Sequence, residues 1–333
     1  MIDEMLRSSA NDTQVLSSPS ATSLSRRRFL RQSSAGAALL AASHFPFEAL
    51  ADEQTQHSLT ILHTNDVHSR LDPFPMDGSK YQGLGGVVAR EKLISKIRNE
   101  EEYTLLLDAG DIFQGTPYFN YYKGEPEMKV MSMLRYEAAT LGNHDFDNGI
   151  DGLVKQMEHA DFPFVNCNYD FSGTSLENII KPYTIIRKGK IKIGILGVVI
   201  ELNGLVPEKL FGNIVYNNPV QNANETAYFL KHKKRCDYII CLSHLGFEYK
   251  TDKVSDKVLA KESEHINLII GGHTHTFLDQ PYTLKNRINQ EVIINQVGWA
   301  GINLGRINIF FDYRKHYDYV SDFNAIKVQE TII

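Results

Sequence analysis

The sequence is poor in cysteine and carries no excess of basic charge. Three cysteines occur in 333 residues, which is too few for a disulfide scaffold, and their odd number leaves at least one thiol without an intrachain partner. Lysine and arginine number 35 against 40 aspartate and glutamate residues, and the net charge of −5 argues against binding a long nucleic acid through its phosphates. We therefore expect a globular protein that rests on an apolar core and binds a small ligand.

The sequence also lacks an apolar run long enough to span a bilayer, so no transmembrane anchor is expected. An arginine-rich stretch over residues 26–31 precedes a short apolar run over residues 35–42 and an Ala-Leu-Ala triplet at residues 49–51. This order resembles a twin-arginine signal peptide. A basic amphipathic helix is disfavoured because the run has no helical period. We predict a leader over residues 1–51 and a domain over residues 52–333, exported to the periplasm or cell surface.

Short apolar runs alternate with amphipathic segments along the predicted domain. Runs of strand length lie at residues 59–63, 104–108, 138–141, 164–166, 183–187, 191–199, 238–242, 268–270, 291–297 and 304–311. Helical spacing of apolar residues occurs over residues 86–97, 127–134, 150–158 and 220–234. This alternation is typical of mixed β-sheets with helices packed outside them. Because no internal repeat or low-complexity linker interrupts it, a single α/β domain is predicted.

Polar side chains follow five of the predicted strands at the point where each strand ends. In chain order these candidates are Asp66, His68, Asp111, Asn143, His244, His273 and His275. Ligands of open α/β sheets bind beyond the carboxyl ends of the strands, so side chains far apart in sequence can converge there. Carboxylate and imidazole together suit Zn, Mn or Fe better than Ca or Mg. Seven such residues are too many for one ion.

These segments together resemble a known family. Asp66-x-His68, Gly110-Asp111, Gly142-Asn143-His144-Asp145, His244 and Gly272-His273-x-His275 are similar, in order and spacing, to the motif set of the calcineurin-like metallophosphatases. Residues 62–66, 114–115 and 143–147 are closest to its 5′-nucleotidase branch. The resemblance covers about residues 58–312. It implies a metallophosphatase fold, which is a four-layer α/β/β/α sandwich of two mixed sheets.

The resemblance also implies two divalent metal ions and the side chains that hold them. One ion would be held by Asp66, His68, Asp111 and His275. The other would be held by Asp111, Asn143, His244 and His273, so that Asp111 bridges the pair. Two ions ~3.5–4 Å apart can share a hydroxide that attacks phosphorus. His144 would face the phosphate and assist the reaction, and Asp147 would orient His144.

The expected function is an exported dinuclear-metal phosphoesterase that acts on a small phosphorylated substrate, nucleotides above all. A stand-alone phosphomonoesterase or cyclic phosphodiesterase of loose specificity is the first alternative. A non-catalytic exported protein that binds metal or phosphate is the second. Full-length 5′-nucleotidases carry a C-terminal substrate domain that this chain is expected to lack, and a separate polypeptide is the hypothesised source of those groups.

Two further features receive structural interpretations. His63 lies on the first predicted strand and is expected to pack in the core or to support a ligand. An aromatic cluster, which comprises Tyr118, Phe119, Tyr121 and Tyr122, could cover the core or line a pocket, and packing is favoured.

Overall fold

The structure, a computed structural model, describes residues 56–312 and 317–329. The predicted leader over residues 1–51 lies outside these described residues, so the twin-arginine signal stays a prediction. Within the described ranges, every helix is too short or too polar to cross a membrane.

Five strands form the first sheet. They are β1 Gln56–Thr64, β2 Thr104–Asp108, β3 Ala138–Ala139, β12 Asn303–Asp312 and β13 Tyr317–Lys327. Their order across the sheet is β13-β12-β1-β2-β3. The strands β1, β2 and β3 are parallel, whereas β12 and β13 extend the sheet with antiparallel pairing. The sheet is therefore mixed, and its parallel half directs the ends of β1, β2 and β3 to one edge.

Six strands form the second sheet. They are β5 Tyr183–Lys188, β6 Ile191–Val199, β8 Tyr238–His244, β9 Leu268–Gly271, β10 Tyr282–Lys285 and β11 Glu291–Asn295. Their order is β10-β11-β9-β8-β6-β5, with four parallel central strands and an antiparallel strand at each edge. Two short strands, β4 Tyr169–Asp170 and β7 Val215–Tyr216, pair separately.

The predicted helices occur with small shifts of their ends. The α-helices of the described residues are α1 Val87–Glu100, α2 Pro117–Tyr122, α3 Glu125–Met133, α4 Gly149–Met157, α5 Glu208–Phe211, α6 Pro219–Tyr228 and α7 Asp256–Glu262. The helix predicted over 220–234 divides, because a π-helical turn, Phe229–Lys233, follows α6. The strand predicted over 164–166 is wrong: Phe164 and Val165 form only isolated bridges.

The core confirms the four-layer arrangement. One apolar cluster joins inward side chains of both sheets, including Leu59, Leu105 and Ile193. A second cluster joins the opposite sides of the strands to the helices, as in the packing of Leu62 and Ile94. Leu59 and Leu62 belong to different clusters because alternate residues of a strand face opposite sides of its sheet. Two sheets therefore face each other, with helices on their outer sides.

Gly197 of β6 allows the backbone near β3 to approach the second sheet. A Cβ atom at this position would lie 2.0 Å from the carbonyl oxygen of Val165 and 2.6 Å from Oγ1 of Thr140, which donates to that same oxygen. We expect Gly197→Ala to lower the free energy of unfolding by about 2–3 kcal/mol, since overpacking a buried site forces the backbone to move. Denaturant unfolding measures this loss.

Gly78→Ala is the control for the Gly197 substitution. A Cβ at Gly78 would have no heavy atom within 4 Å, although its φ of +82° is unfavourable for alanine. We expect a loss of about 1 kcal/mol from that backbone conformation alone. Equal losses in the two variants would contradict the steric explanation for Gly197.

Candidate metal centre

The candidate ligands lie at the carboxyl ends of parallel strands in both sheets. In chain order they are Asp66 and His68 after β1, Asp111 after β2, Asn143 after β3, His244 at the end of β8, and His273 and His275 after β9. The two sheets are connected here, because the backbone N–H of His273 donates to Oδ1 of Asp66 at 2.9 Å. Side chains from five segments thus meet at one place.

The backbone of these segments is unusual. Five candidate ligands have a left-handed backbone, with φ of 51° at Asp66, 50° at His68, 55° at Asp111, 73° at His273 and 52° at His275. Each such residue is held at a cost that the surrounding structure must offset, and residues of this kind cluster at functional sites. The turns aim consecutive ligands at one centre instead of letting the strands continue.

The first group of candidate ligands comprises Asp66, His68, Asp111 and His275, which each offer an atom within 4.8 Å of the others. The Nε2 atoms of His68 and His275 lie 2.9 Å apart. Nε2 of His275 is 3.4 Å from Oδ1 of Asp66, and Nε2 of His68 is 3.7 Å from Oδ2 of Asp111. Two carboxylates and two imidazoles therefore face one small volume that could hold a cation.

The second group comprises Asp111, His244 and His273, again within 4.8 Å of one another. Nε2 of His244 lies 3.2 Å from Oδ2 of Asp111. Oδ1 of Asn143 lies 2.8 Å from Nδ1 of His273 and so joins this group. Asp111 belongs to both groups, which is the geometry required of a bridging ligand.

The surrounding backbone fixes two of the imidazoles. Nδ1 of His244 lies 2.7 Å from the carbonyl oxygen of Ala109, and Nδ1 of His68 lies 3.2 Å from that of Phe113. A carbonyl acceptor places the proton on Nδ1 and leaves Nε2 free to bind a metal. Nε2 of His244 is buried and approaches the carboxylates of Asp111 and Asp66, at 3.2 Å and 3.9 Å, without a hydrogen bond of good geometry to a described residue. Such an orphaned nitrogen beside a carboxylate fits a cation site of the Zn, Mn or Fe type.

The charges of the candidate ligands also favour the binding of a cation. Burial raises the pKa of Asp111, but the imidazoles of His244 and His68 outweigh burial and hold that pKa below its ordinary value. Burial lowers the pKa of His244, yet Asp111 and Asp66 raise it to about 10. A proton on His244 thus compensates the buried carboxylates. A divalent cation bound here would displace that proton, so metal uptake should release protons.

His144 and Asp147 stand beside the two groups rather than in them. Nδ1 of His144 lies 2.8 Å from Oδ2 of Asp147, and this hydrogen bond raises the pKa of His144 against the opposing effect of burial. The His144 side chain is 37% exposed, and its ring centroid lies 5.4 Å from that of His68. Its backbone N–H donates to Oδ1 of Asp111 at 2.8 Å. The free edge of the ring is therefore accessible to a ligand at the centre.

Asp145 had no role assigned from the sequence, but the structure gives it one. This buried carboxylate accepts the backbone N–H groups of Ile112 at 2.9 Å, Phe113 at 3.1 Å and Gly142 at 2.7 Å. Burial, followed by the charge of Asp111, raises the pKa of Asp145 to about 7. Asp145 ties the segment that carries Asp111 to the segment that carries Asn143. The sequence signal for this role was the position of Asp145 among the polar residues Asn143, His144 and Asp147.

Trp299 is a second residue that the sequence did not reveal. Its indole stacks on the imidazole of His275, with ring centroids 5.6 Å apart and planes inclined by 5°. It lies in a turn more than twenty residues after His275, so no local motif indicates the contact. The stack restricts the ring of His275, whose side chain is 39% exposed.

His63 packs in the core, as one of its two interpretations expected. It is fully buried, and burial lowers its pKa to about 3. Nε2 of His63 accepts a hydrogen bond from the side-chain amide of Asn295 at 2.7 Å. His63 is therefore neutral and joins β1 to the second sheet.

A family model for calcineurin-like phosphoesterases matches residues 59–277. Among curated proteins, a snake venom 5′-nucleotidase of Crotalus adamanteus is 36% identical over 289 residues, covering 79% of this chain and 47% of its own. The human 5′-nucleotidase is 33% identical and covers 77% of this chain and 47% of its own. The chain thus spans about half the length of the curated relatives it matches.

Two solved structures extend this similarity to the fold. A 5′-nucleotidase precursor from Thermus thermophilus superposes with a TM-score of 0.73 at 31% identity, covering 82% of this chain and 55% of that one. The calcineurin-like phosphoesterase YfkN from Bacillus subtilis gives a TM-score of 0.68 at 28% identity, covering 82% of this chain and 91% of that one. These comparisons confirm the fold that the motifs predicted.

Proposed function

Because the chain belongs to the calcineurin-like phosphoesterases, we propose that it is an exported dinuclear-metal hydrolase of phosphate esters and that nucleotides are its substrates. The observation that carries the proposal is the position of Asp111, which lies in both groups of candidate ligands. Supporting it are the relatives that bear the name 5′-nucleotidase. Export is supported by the arginine-rich and apolar segments of the sequence.

The chain's own side chains would hold two ions of the Zn, Mn or Fe type. Asp66, His68, Asp111 and His275 would hold one, and Asp111, Asn143, His244 and His273 the other. When bound, such a pair supplies an activated water and stabilises charge on the phosphate oxygens. Only two of the seven side chains are carboxylates, so the loaded centre keeps a net positive charge that attracts a phosphate dianion.

His144 completes the proposed site. Asp147 holds Nδ1 of His144, which leaves Nε2 directed away from that contact as a proton donor. A histidine whose pKa is raised in this way can donate to a phosphate oxygen or to the leaving oxygen. His144 thereby acts on the reacting group without binding a metal.

A broader phosphoesterase is the second candidate. A "Trifunctional nucleotide phosphoesterase protein" of Bacillus subtilis is 31% identical over 288 residues, and the YfkN structure matches over 91% of its own chain. The matched part is 18% of the length of the trifunctional protein, and its printed name makes a phosphoesterase of wider specificity the competitor to a strict 5′-nucleotidase.

Metal removal tests the proposed function directly. We expect chelation to abolish hydrolysis and reloading with Zn, Mn or Fe to restore it, with two ions bound per chain. Rates with AMP, a UDP-sugar, a cyclic nucleotide and an aryl phosphate, measured on the reloaded protein, separate the two candidates: a strict 5′-nucleotidase prefers AMP by at least about tenfold, which is ~1.4 kcal/mol. Hydrolysis that survives complete metal removal would contradict the proposal.

A further inference from the structure

A cavity of about 280 Å³ lies beside the segment that follows His68. The residues of the aromatic cluster occupy two different environments here. Phe119 is buried against Phe113, with ring centroids 5.5 Å apart, so the predicted packing is right for that residue. Tyr118, Tyr121 and Tyr122 instead line the cavity. We call it the tyrosine pocket.

The pocket adjoins the segment that carries His68. Arg70, which lines it, follows His68 by two residues, so their Cα atoms are at most about 7.6 Å apart. Oγ1 of Thr116, also in the lining, donates to the carbonyl oxygen of Ser69 at 2.7 Å. A Cβ atom at Gly115 would lie only 2.9 Å from Cβ of His68. One wall of the pocket is therefore formed by the segment that carries His68.

The lining combines aromatic faces with one charge of each sign. Tyr121 is 80% exposed and Tyr122 56% exposed, so their rings are available to a ligand. The hydroxyl of Tyr118 donates to Oδ2 of Asp72 at 2.8 Å, and a carboxylate retains further acceptor capacity. Arg70 supplies a cation. Tyrosine faces stack on flat π-systems, and the carboxylate accepts from amino or hydroxyl groups.

We propose that the tyrosine pocket binds the planar heteroaromatic part of the leaving group while the phosphate lies at the metal centre. The inference rests on the proposed function and defines its substrate class as phosphate esters that carry a nucleobase or a similar ring. Sugar phosphates that lack such a ring leave the pocket unfilled. The catalytic domain thereby contributes its own recognition of the base.

A pair of substrates measures the contribution of the pocket separately from that of the phosphate site. AMP and ribose 5-phosphate share the phosphoryl group and the sugar, and only AMP carries the base. We expect kcat/KM to favour AMP in the metal-loaded chain, and the preference to fall about tenfold or more in Tyr121→Ala/Tyr122→Ala, as when a base-stacking ring is truncated. The rate with ribose 5-phosphate should not change. Tyr228→Ala, which removes a tyrosine 52% exposed on α6 and outside the pocket, should keep the full preference.

Binding of adenosine separates failure of the pocket from failure of the proposed function. Adenosine lacks phosphate, so its binding to the metal-loaded chain, measured by calorimetry, requires no hydrolysis. Adenosine affinity that is lost in Tyr121→Ala/Tyr122→Ala and kept in Tyr228→Ala supports the pocket even if no ester is cleaved. Equal adenosine affinity in all three proteins, absence of adenosine binding, or an AMP preference that survives the double substitution overturns it.

Discussion

Asp111→Asn is expected to lose both metal ions and more than about 100-fold in kcat/KM. Asp111 is the single side chain in both groups of candidate ligands, and its Oδ2 lies 3.2 Å from His244 and 3.7 Å from His68. Asparagine keeps the shape and the hydrogen bond from the N–H of His144 but removes the charge. Because changes in residues that only support a ligand cost 10–100-fold, loss of a shared ligand should cost more.

The measurements are metal content and hydrolysis of AMP after reloading. Asp170→Asn is the control, since Asp170 is exposed and its side chain accepts hydrogen bonds from Ser172, which an amide oxygen can also accept. It should bind two ions and keep its activity, and circular dichroism should show that both variants are folded. Two firmly bound ions in the Asp111 variant would contradict the bridging role.

The position of the polar residues at the strand ends was predictable because the sequence shows where each apolar run ends. Asp66 and His68 follow the apolar run of β1 directly, so their place at the end of this strand could be predicted, although left-handed turns and not the strand period aim them at one centre. The parallel pairing of β1 with β2 then brings Asp111 to the same edge. Strand order was less accessible, because the neighbours β1 and β12 are separated by more than two hundred residues. The four-layer arrangement was predicted only from the family resemblance.

The sequence could not predict the contacts that depend on left-handed turns and on distant loops. No propensity places Asp111 or His275 at positive φ, because that backbone is costly for residues with a Cβ atom. The stack of Trp299 on His275 and the backbone hydrogen bonds that Asp145 accepts arise only once those turns are formed. The role of the aromatic cluster could not be predicted for a related reason. One short helix places Phe119 in the core and its tyrosine neighbours in the lining of the pocket.

His144→Ala is expected to lower kcat by roughly 10²–10⁴ while both ions stay bound. The imidazole contacts Asp147 and belongs to neither group of candidate ligands, so its removal leaves every proposed ligand in place. The hydrogen bond from residue 144 to Asp111 uses the backbone N–H and survives in alanine. Metal analysis and single-turnover hydrolysis of AMP measure the two effects separately.

Asp147→Asn shows how much of this effect is orientation. An amide oxygen can still accept from Nδ1 of His144, so the ring stays in place, but the negative charge that favours its protonated form is gone. We expect a rate between those of the parent enzyme and His144→Ala, again with two ions bound. A protein that only binds metal or phosphate would hydrolyse no ester, so it would have no rate to lose in either variant. Loss of the ions from His144→Ala would instead make His144 a structural part of the centre and remove its proposed role as proton donor.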